Sequence, residues 1–150
     1  NTHRANRIVE HGLRNKLFDE FKSVKLIKPE FKFSNDTRFD FLCDKNIIEV
    51  KNVTLLRKKE LAEFPDAITS RGSKHLLQLI KSLKKGYNAY VLFLTQIQDI
   101  NSFKIAKDID NDYYQNYLIA KKAGVKFLAY RCKLNSKEIK IEKKINILND

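Results

Sequence analysis

Asp40, Glu49 and Lys51 lie in two short runs, RFDF and IIEVKNVTL, that otherwise read as strand. Side chains two apart on a strand share a face. Glu49 and Lys51 therefore aim a carboxylate and an ammonium the same way, from among Ile47, Ile48, Val50 and Val53. On the preceding run, Arg38, Asp40 and Leu42 share one face and Phe39, Phe41 and Cys43 the other. A hairpin turning on Asp44-Lys45 pairs Cys43 with Asn46, sets Asp40 opposite Glu49 and sets Arg38 opposite Lys51. A three-residue loop would shift this register and separate the carboxylates. Paired carboxylates repel unless a cation lies between them, and a hard divalent ion, Mg2+ or Mn2+, suits oxygen ligands and retained water. Such an ion acidifies a bound water and polarises a phosphoryl oxygen. Lys51 would add positive charge where the transition state turns negative. Asp followed by Glu-x-Lys is thus a minimal kit for metal-dependent phosphodiester hydrolysis. The competing reading is a solvated hairpin face carrying ordinary cross-strand charge pairs.

Further residues can serve the same chemistry. Arg71, His75 and Gln78 form a polar stripe at helical spacing on the segment after the hairpin. His75 suits proton transfer or phosphate contact, and Arg71 and Lys74, near the helix start, suit phosphate. The bland reading is a solvated helix face, and it accounts for His75 alone equally well. Asp66, in FPDA, is a further acid or a turn residue. Tyr113, Tyr114 and Tyr117 can stack on bases, but the spacing favours core and boundary positions. His3 and His11 are too isolated to support a role.

These side chains need a frame. RANRIVEHGLRNKLFDEF places Ile8, Val9, Leu13, Leu17 and Phe21 at helical spacing and predicts a helix from about Arg4 to Glu20. SVKLIKPEFKF is weakly extended, and TRFDFLCDKNIIEVKNV gives two strands around a turn. RKKELAEFPDAITSRG reads as loop. SKHLLQLIKSLKKG is an amphipathic helix stopped by Gly86. AYVLFLTQ is a strand covered on both faces. DNDYYQNYLIAKKAG is a helix stopped by Gly124, and VKFLAYRCKL and EIKIEKKINIL are late strands. The order is helix, three strands, helix, strand, helix, two strands: a mixed β-sheet flanked by helices, α/β in class.

The chain has 150 residues, enough for one domain over 1–150, and no repeat or linker divides it. Lys and Arg number 30 against 18 Asp and Glu, a net charge of +12 that favours a polyanion such as nucleic acid. The lysine-rich bias of an AT-rich genome yields the same excess. Two cysteines, Cys43 and Cys132, without a CxxC, argue against a disulfide framework or zinc site and fit the cytoplasm. No apolar run is long enough for a membrane span and no signal peptide is visible. The chain has no Met and opens with Asn1, as a fragment or processed product would.

RFDF, IIEVKNVTL and FPDAITSRGSKHLLQL, with AGVKFLAYRCKL and NRIVEHGL, resemble the sugar fermentation stimulation protein (SfsA) family over nearly the whole chain. The resemblance implies a restriction-endonuclease-like PD-(D/E)xK core, with Asp40, Glu49 and Lys51 at the catalytic positions and Asp40 and Glu49 as metal ligands. It implies binding of DNA with little sequence preference, a link to regulation of sugar use, and an N-terminal OB-like domain that this chain lacks. Two positions depart from the family pattern. His11, with Glu10 beside it, stands where an acid is usual, and Gln78 stands in a carboxylate's place. The expected function is a non-specific DNA-binding protein on a nuclease-type domain, with nucleic-acid contacts at Arg38, Arg71, Lys74 and His75. The alternatives are a catalytically silent DNA-binding module, and an interaction domain whose charge is compositional.

Overall fold

The first apolar stripe does form a helix, and it stops early. A computed structural model describes residues 2–135 and 137–149; in it, α1 spans Thr2–Arg14 rather than Arg4–Glu20. Lys16 takes a left-handed φ of 58°, and the Leu17 amide donates back to the Gly12 carbonyl at 2.9 Å. The chain reverses into a short 3-10 turn, Asp19–Phe21. Phe18 and Phe21 are thereby buried and Leu17 is left 40% exposed. Gly12 permits the reversal, since a Cβ there would meet the Phe18 ring at 2.7 Å.

Five strands follow: β1 (Ile27–Ser34), β2 (Thr37–Cys43), β3 (Asn46–Val53), β4 (Leu55–Lys58) and β5 (Leu61–Phe64). Then come α2 (Ser70–Lys84), β6 (Asn88–Thr95), β7 (Ser102–Ile105), α3 (Asn111–Ala123), β8 (Lys126–Leu134) and β9 (Ile139–Ile147). The segment read as loop thus contains β4 and β5, which reverse at Glu60, a residue at φ 67°. β4 is an edge strand with little burial, so it lacks the alternation that marks a half-buried strand. β7 is only four residues long and gave no sequence signal.

The described strands form one mixed sheet in the order β1-β2-β3-β6-β8-β9-β7-β5-β4. β6 runs parallel to both β3 and β8, and seven of its eight residues, Ala89 to Thr95, are buried, as its unbroken apolar run requires. α1 packs its Ile8, Val9 and Leu13 on one sheet face against Phe41, Ile48, Leu92 and Leu128. α2 and α3 cover the other with Leu76, Leu79, Tyr113 and Tyr117 against Ile47, Val91 and Phe93. Each such fully buried side chain stabilises the fold by roughly 1.5–3 kcal/mol before entropy is counted.

The two helix starts on that second face are tied together. Thr69 caps α2 by accepting from the Gly72 amide at 3.0 Å. Asp110 caps α3 by accepting from the Tyr113 amide at 3.0 Å, and its other oxygen accepts from the Thr69 amide at 2.8 Å. This bridge sets where α2 crosses the sheet, and so where His75 sits. Gly86 and Gly124, both at positive φ, follow the helix ends as expected.

Candidate functional site

The Asp44-Lys45 turn gives the hairpin register expected: Cys43 pairs with Asn46, Leu42 with Ile47 and Phe41 with Ile48. The backbone ladder then stops one rung before Asp40 and Glu49. The Asp40 side chain takes over, its Oδ2 accepting from the Val50 backbone amide at 2.7 Å. With a side chain in place of a backbone rung, β2 bends away from β3, which corrects two expectations. Phe39 packs in the α2–α3 core while Phe41 and Cys43 pack against α1, so the three do not share a face. Arg38 pairs with Lys32 of β1 rather than with Lys51.

Glu49 is 5% exposed, in a strand with neighbours on both sides, which excludes the solvated hairpin face. Its Oε2 lies 2.7 Å from His75 Nδ1 and 3.2 Å from Lys51 Nζ. Lys51 Nζ is in turn 3.3 Å from His75 Nδ1. Lysine only donates, so the shorter contact is read as Nδ1–H donating to Glu49. The Phe39 ring meets the His75 ring edge-on at 6.2 Å and helps fix its plane. Asp40 Oδ1 accepts from Asn6 Nδ2 of α1 at 2.9 Å. Each carboxylate is therefore anchored by a different helix.

The two acids influence each other, and their ionisation diverges. Burial, then the Glu49 charge, push the Asp40 carboxyl up to about 7. Burial would raise Glu49 too. The His75 hydrogen bond and the Lys51 and His75 charges outweigh it and hold that carboxyl below its usual range. One site with two carboxyls thus keeps one ionised and makes the other reluctant. Among the described residues no three His, Cys, Asp or Glu side chains close on a common point. A divalent ion here would find two carboxylates and would take its other ligands from water or phosphate, as Mg2+ commonly does.

Beside the acids, Arg38, Arg71, Lys74 and His75 line one open pocket of about 310 Å³ with Asn35, Asp36 and Thr37. Lys74 Nζ lies 3.6 Å from the Asp36 carboxylate. The four residues expected to contact nucleic acid are thus brought together, by the β1–β2 turn and the first half of α2.

The comparisons with known proteins agree over most of the chain. The model of the sugar fermentation stimulation protein RE domain matches residues 3–138. The chain belongs to the sugar fermentation stimulation protein family. The SfsA-family chain is 61% identical, over 153 residues, to a sugar fermentation stimulation protein homolog of Pelagibacter ubique, covering 99% of this chain and 66% of that one. A Clostridium perfringens homolog is 40% identical over 148 residues, with 95% and 64% covered. The structure of Pyrococcus furiosus SfsA in complex with Ca2+ superposes with a TM-score of 0.88 at 27% identity, covering 99% of this chain and 66% of that one. The chain spans about two thirds of the length of these relatives.

Other residues of this SfsA-family domain fall into place around the site. Glu10 accepts from Arg14 Nε at 2.9 Å, and Asn6, one turn earlier on α1, donates to Asp40. Asn6 was missed because a lone amide beside an apolar stripe carries no sequence signal. Gln78 is half-buried one turn beyond His75, and Asp66 is exposed before α2. Tyr113 and Tyr117 are buried in the core, and the half-buried Tyr114 stacks on Tyr117 at 6.2 Å. No helix among the described residues is long and apolar enough to cross a membrane.

Proposed function

We propose that this domain binds DNA with little sequence preference and hydrolyses its phosphodiester bonds at a divalent ion held by Asp40 and Glu49, on a restriction-endonuclease-like core. The observation that carries the reading is Glu49 at 5% exposure with Lys51 alongside, and Asp40 bonded to the amide of the next residue, Val50. The pair fits a dication: Asp40 is held near its proton by burial and by Glu49, and Asp40 and Glu49 would hold such an ion with both carboxyls ionised. Mg2+ or Mn2+ is the expected activator, and the Ca2+ complex of Pyrococcus furiosus SfsA supports a divalent ligand for this chain. When bound, the ion supplies an acidified water and a polarised phosphoryl oxygen.

The chain's own groups have separate tasks. His75 orients Glu49 through Nδ1–H, and Asn6 with the Val50 amide orients Asp40. Lys51 Nζ stands beside Glu49 and stabilises the negative charge that grows on the reacting phosphate. Arg38, Arg71, Lys74 and His75 hold a backbone phosphate in the pocket next to the acids. We assign the work to the cytoplasm, where buried Cys43 and Cys132 stay reduced. The rest of the relatives' length we assign to an OB-like domain preceding this one.

A second reading, a DNA-binding regulatory module of sugar use without turnover, is favoured by one feature. Glu49 already has the Lys51 ammonium and the His75 ring nitrogen beside it, so that carboxylate has partners without metal. The test is cleavage of plasmid DNA with Mg2+, Mn2+ or EDTA. Cleavage that needs the metal and disappears in Asp40→Ala and Glu49→Ala supports the enzyme. Salt-sensitive DNA binding with no cleavage in any divalent ion leaves the binding module. Absence of both leaves an interaction domain.

A further inference from the structure

The acids lie on one flank of α1, and the other flank also carries a basic cleft. Arg4, Arg7 and His11 fall at i, i+3 and i+7, one side of the helix. They face Leu134, Lys137 and Glu138, where β8 turns into β9, across an open cleft of about 560 Å³. Asn6 points away from it, towards Asp40 on β2. The sheet order agrees, with β2 and β3 on one side of β6 and β8 and β9 on the other.

Two described acids beside the cleft are already engaged by other cations. Glu10 is bonded to Arg14 at 2.9 Å, and Glu138 to Lys140 at 3.1 Å. The first turn of α1 contains no acid, and the helix start adds its own partial positive charge. Arg7 and Lys137 are exposed and present their charge to solvent.

We infer that this cleft is a second phosphate-binding site, which takes the backbone of the same nucleic acid that crosses the Asp40–Glu49 pair. The inference rests on the nucleic-acid reading above. The two sites are separated by α1, about 10 Å across. A strand advances about 3.4 Å per nucleotide, so the second contact falls about three or more nucleotides from the reacting phosphate. The bound nucleic acid straddles α1, with the acids on one side and Arg4, Arg7 and Lys137 on the other.

The test is fluorescence anisotropy with a duplex of about 20 base pairs, a length that spans both sites at that rise, as salt is varied. Each lost phosphate contact lowers the log–log salt slope by about 0.9, which is about 8-fold in affinity at 0.1 M salt. Arg7→Gln with Lys137→Gln is expected to lower the slope by about 1.8 and affinity about 60-fold. Lys58→Gln with Lys122→Gln, an equal charge change at exposed positions away from both clefts, is expected to change affinity less than about 3-fold, the residue of long-range attraction under screening. Calcium titration by calorimetry and thermal melting check that the variants keep the carboxylate pair and the fold. Equal losses in the two double variants, or none in the first, overturn the second site. A wild-type protein that binds no duplex at any salt overturns the nucleic-acid reading itself, and this site with it.

Discussion

Replacing Asp40 by Asn should stabilise the metal-free protein and remove its response to metal. A carboxyl raised from 3.8 to about 7 costs the folded state about 4 kcal/mol once ionised, at about 1.4 kcal/mol per pH unit. Asn removes that cost. It has one carbonyl oxygen for two donors, Val50 N–H and Asn6 Nδ2, and the lost bond returns about 1 kcal/mol. The net gain is about 1–3 kcal/mol at pH 8 in EDTA, or about 2–10 °C in Tm for a domain of this size. The direction with pH follows from linkage. The folded state holds the Asp40 proton more tightly than the unfolded chain, so this group's contribution is fully present below pH 4 and is lost as pH rises to about 7. The advantage of Asn should therefore vanish near pH 4. Metal reverses the ranking: at 100 times its Kd, an ion stabilises the wild type by about 2.7 kcal/mol, and the variant little. Thermal melts by circular dichroism, in EDTA and in Mg2+ or Ca2+ at several pH values, read all of this. A variant less stable than wild type in EDTA at pH 8, or equally responsive to metal, refutes the account of the pair.

Four further outcomes are expected. Lys51→Ala should slow single-turnover cleavage about 10²–10³-fold, the usual effect of losing a transition-state charge donor, while calorimetry finds metal affinity nearly unchanged. Arg38→Ala with Arg71→Ala should weaken duplex binding about 60-fold at 0.1 M salt in the anisotropy assay. Gln78→Glu should tighten Mg2+ binding measured by calorimetry, since it adds an anionic group one turn from His75. Arg57→Ala should lower Tm, because buried Glu63 loses its 2.6 and 3.0 Å contacts with Arg57. Arg57 hydrogen bonding also holds the exposed Asp108 carboxyl down to about 2. That clamp is intact above pH 4 and lost as pH falls through about 2, so acid melts of the variant should show a shallower limb.

The parts of the fold that were legible in the sequence are those fixed by local chemistry. Asp44 accepts φ 53° and bonds the Lys25 and Leu26 amides, so the hairpin turn and its register follow from an Asp in a two-residue turn. β6 was legible because burial on both faces demands an unbroken apolar run. β4, β5 and β7 were not, being short or half-exposed and stabilised by non-local pairing. The end of α1 escaped because Leu17 and Phe21 continue the apolar spacing, although the chain turns at Lys16. In the site, Glu49 and Lys51 were legible by period-two alternation. The bend at Asp40 was not, because it arises from a side-chain-to-backbone bond that no spacing encodes.

The electrostatics of the hairpin argue that its acids are kept for chemistry rather than for the fold. Apolar residues of similar volume in place of a buried ion pair commonly leave a protein as stable or more so. Here Glu49 has the Lys51 ammonium and the His75 ring nitrogen beside it, whereas Asp40 accepts from the Asn6 and Val50 amides. A pair arranged for stability alone would carry an acid and a base, as Arg57 and Glu63 do at 2.6 Å. Instead the second acid faces the first, and the cationic side chains Arg38, Arg71 and Lys74 gather one step away around an open pocket. That separation, anionic oxygens on one side and side-chain cations on the other, is the arrangement the proposed function needs, and it costs the metal-free fold stability to maintain.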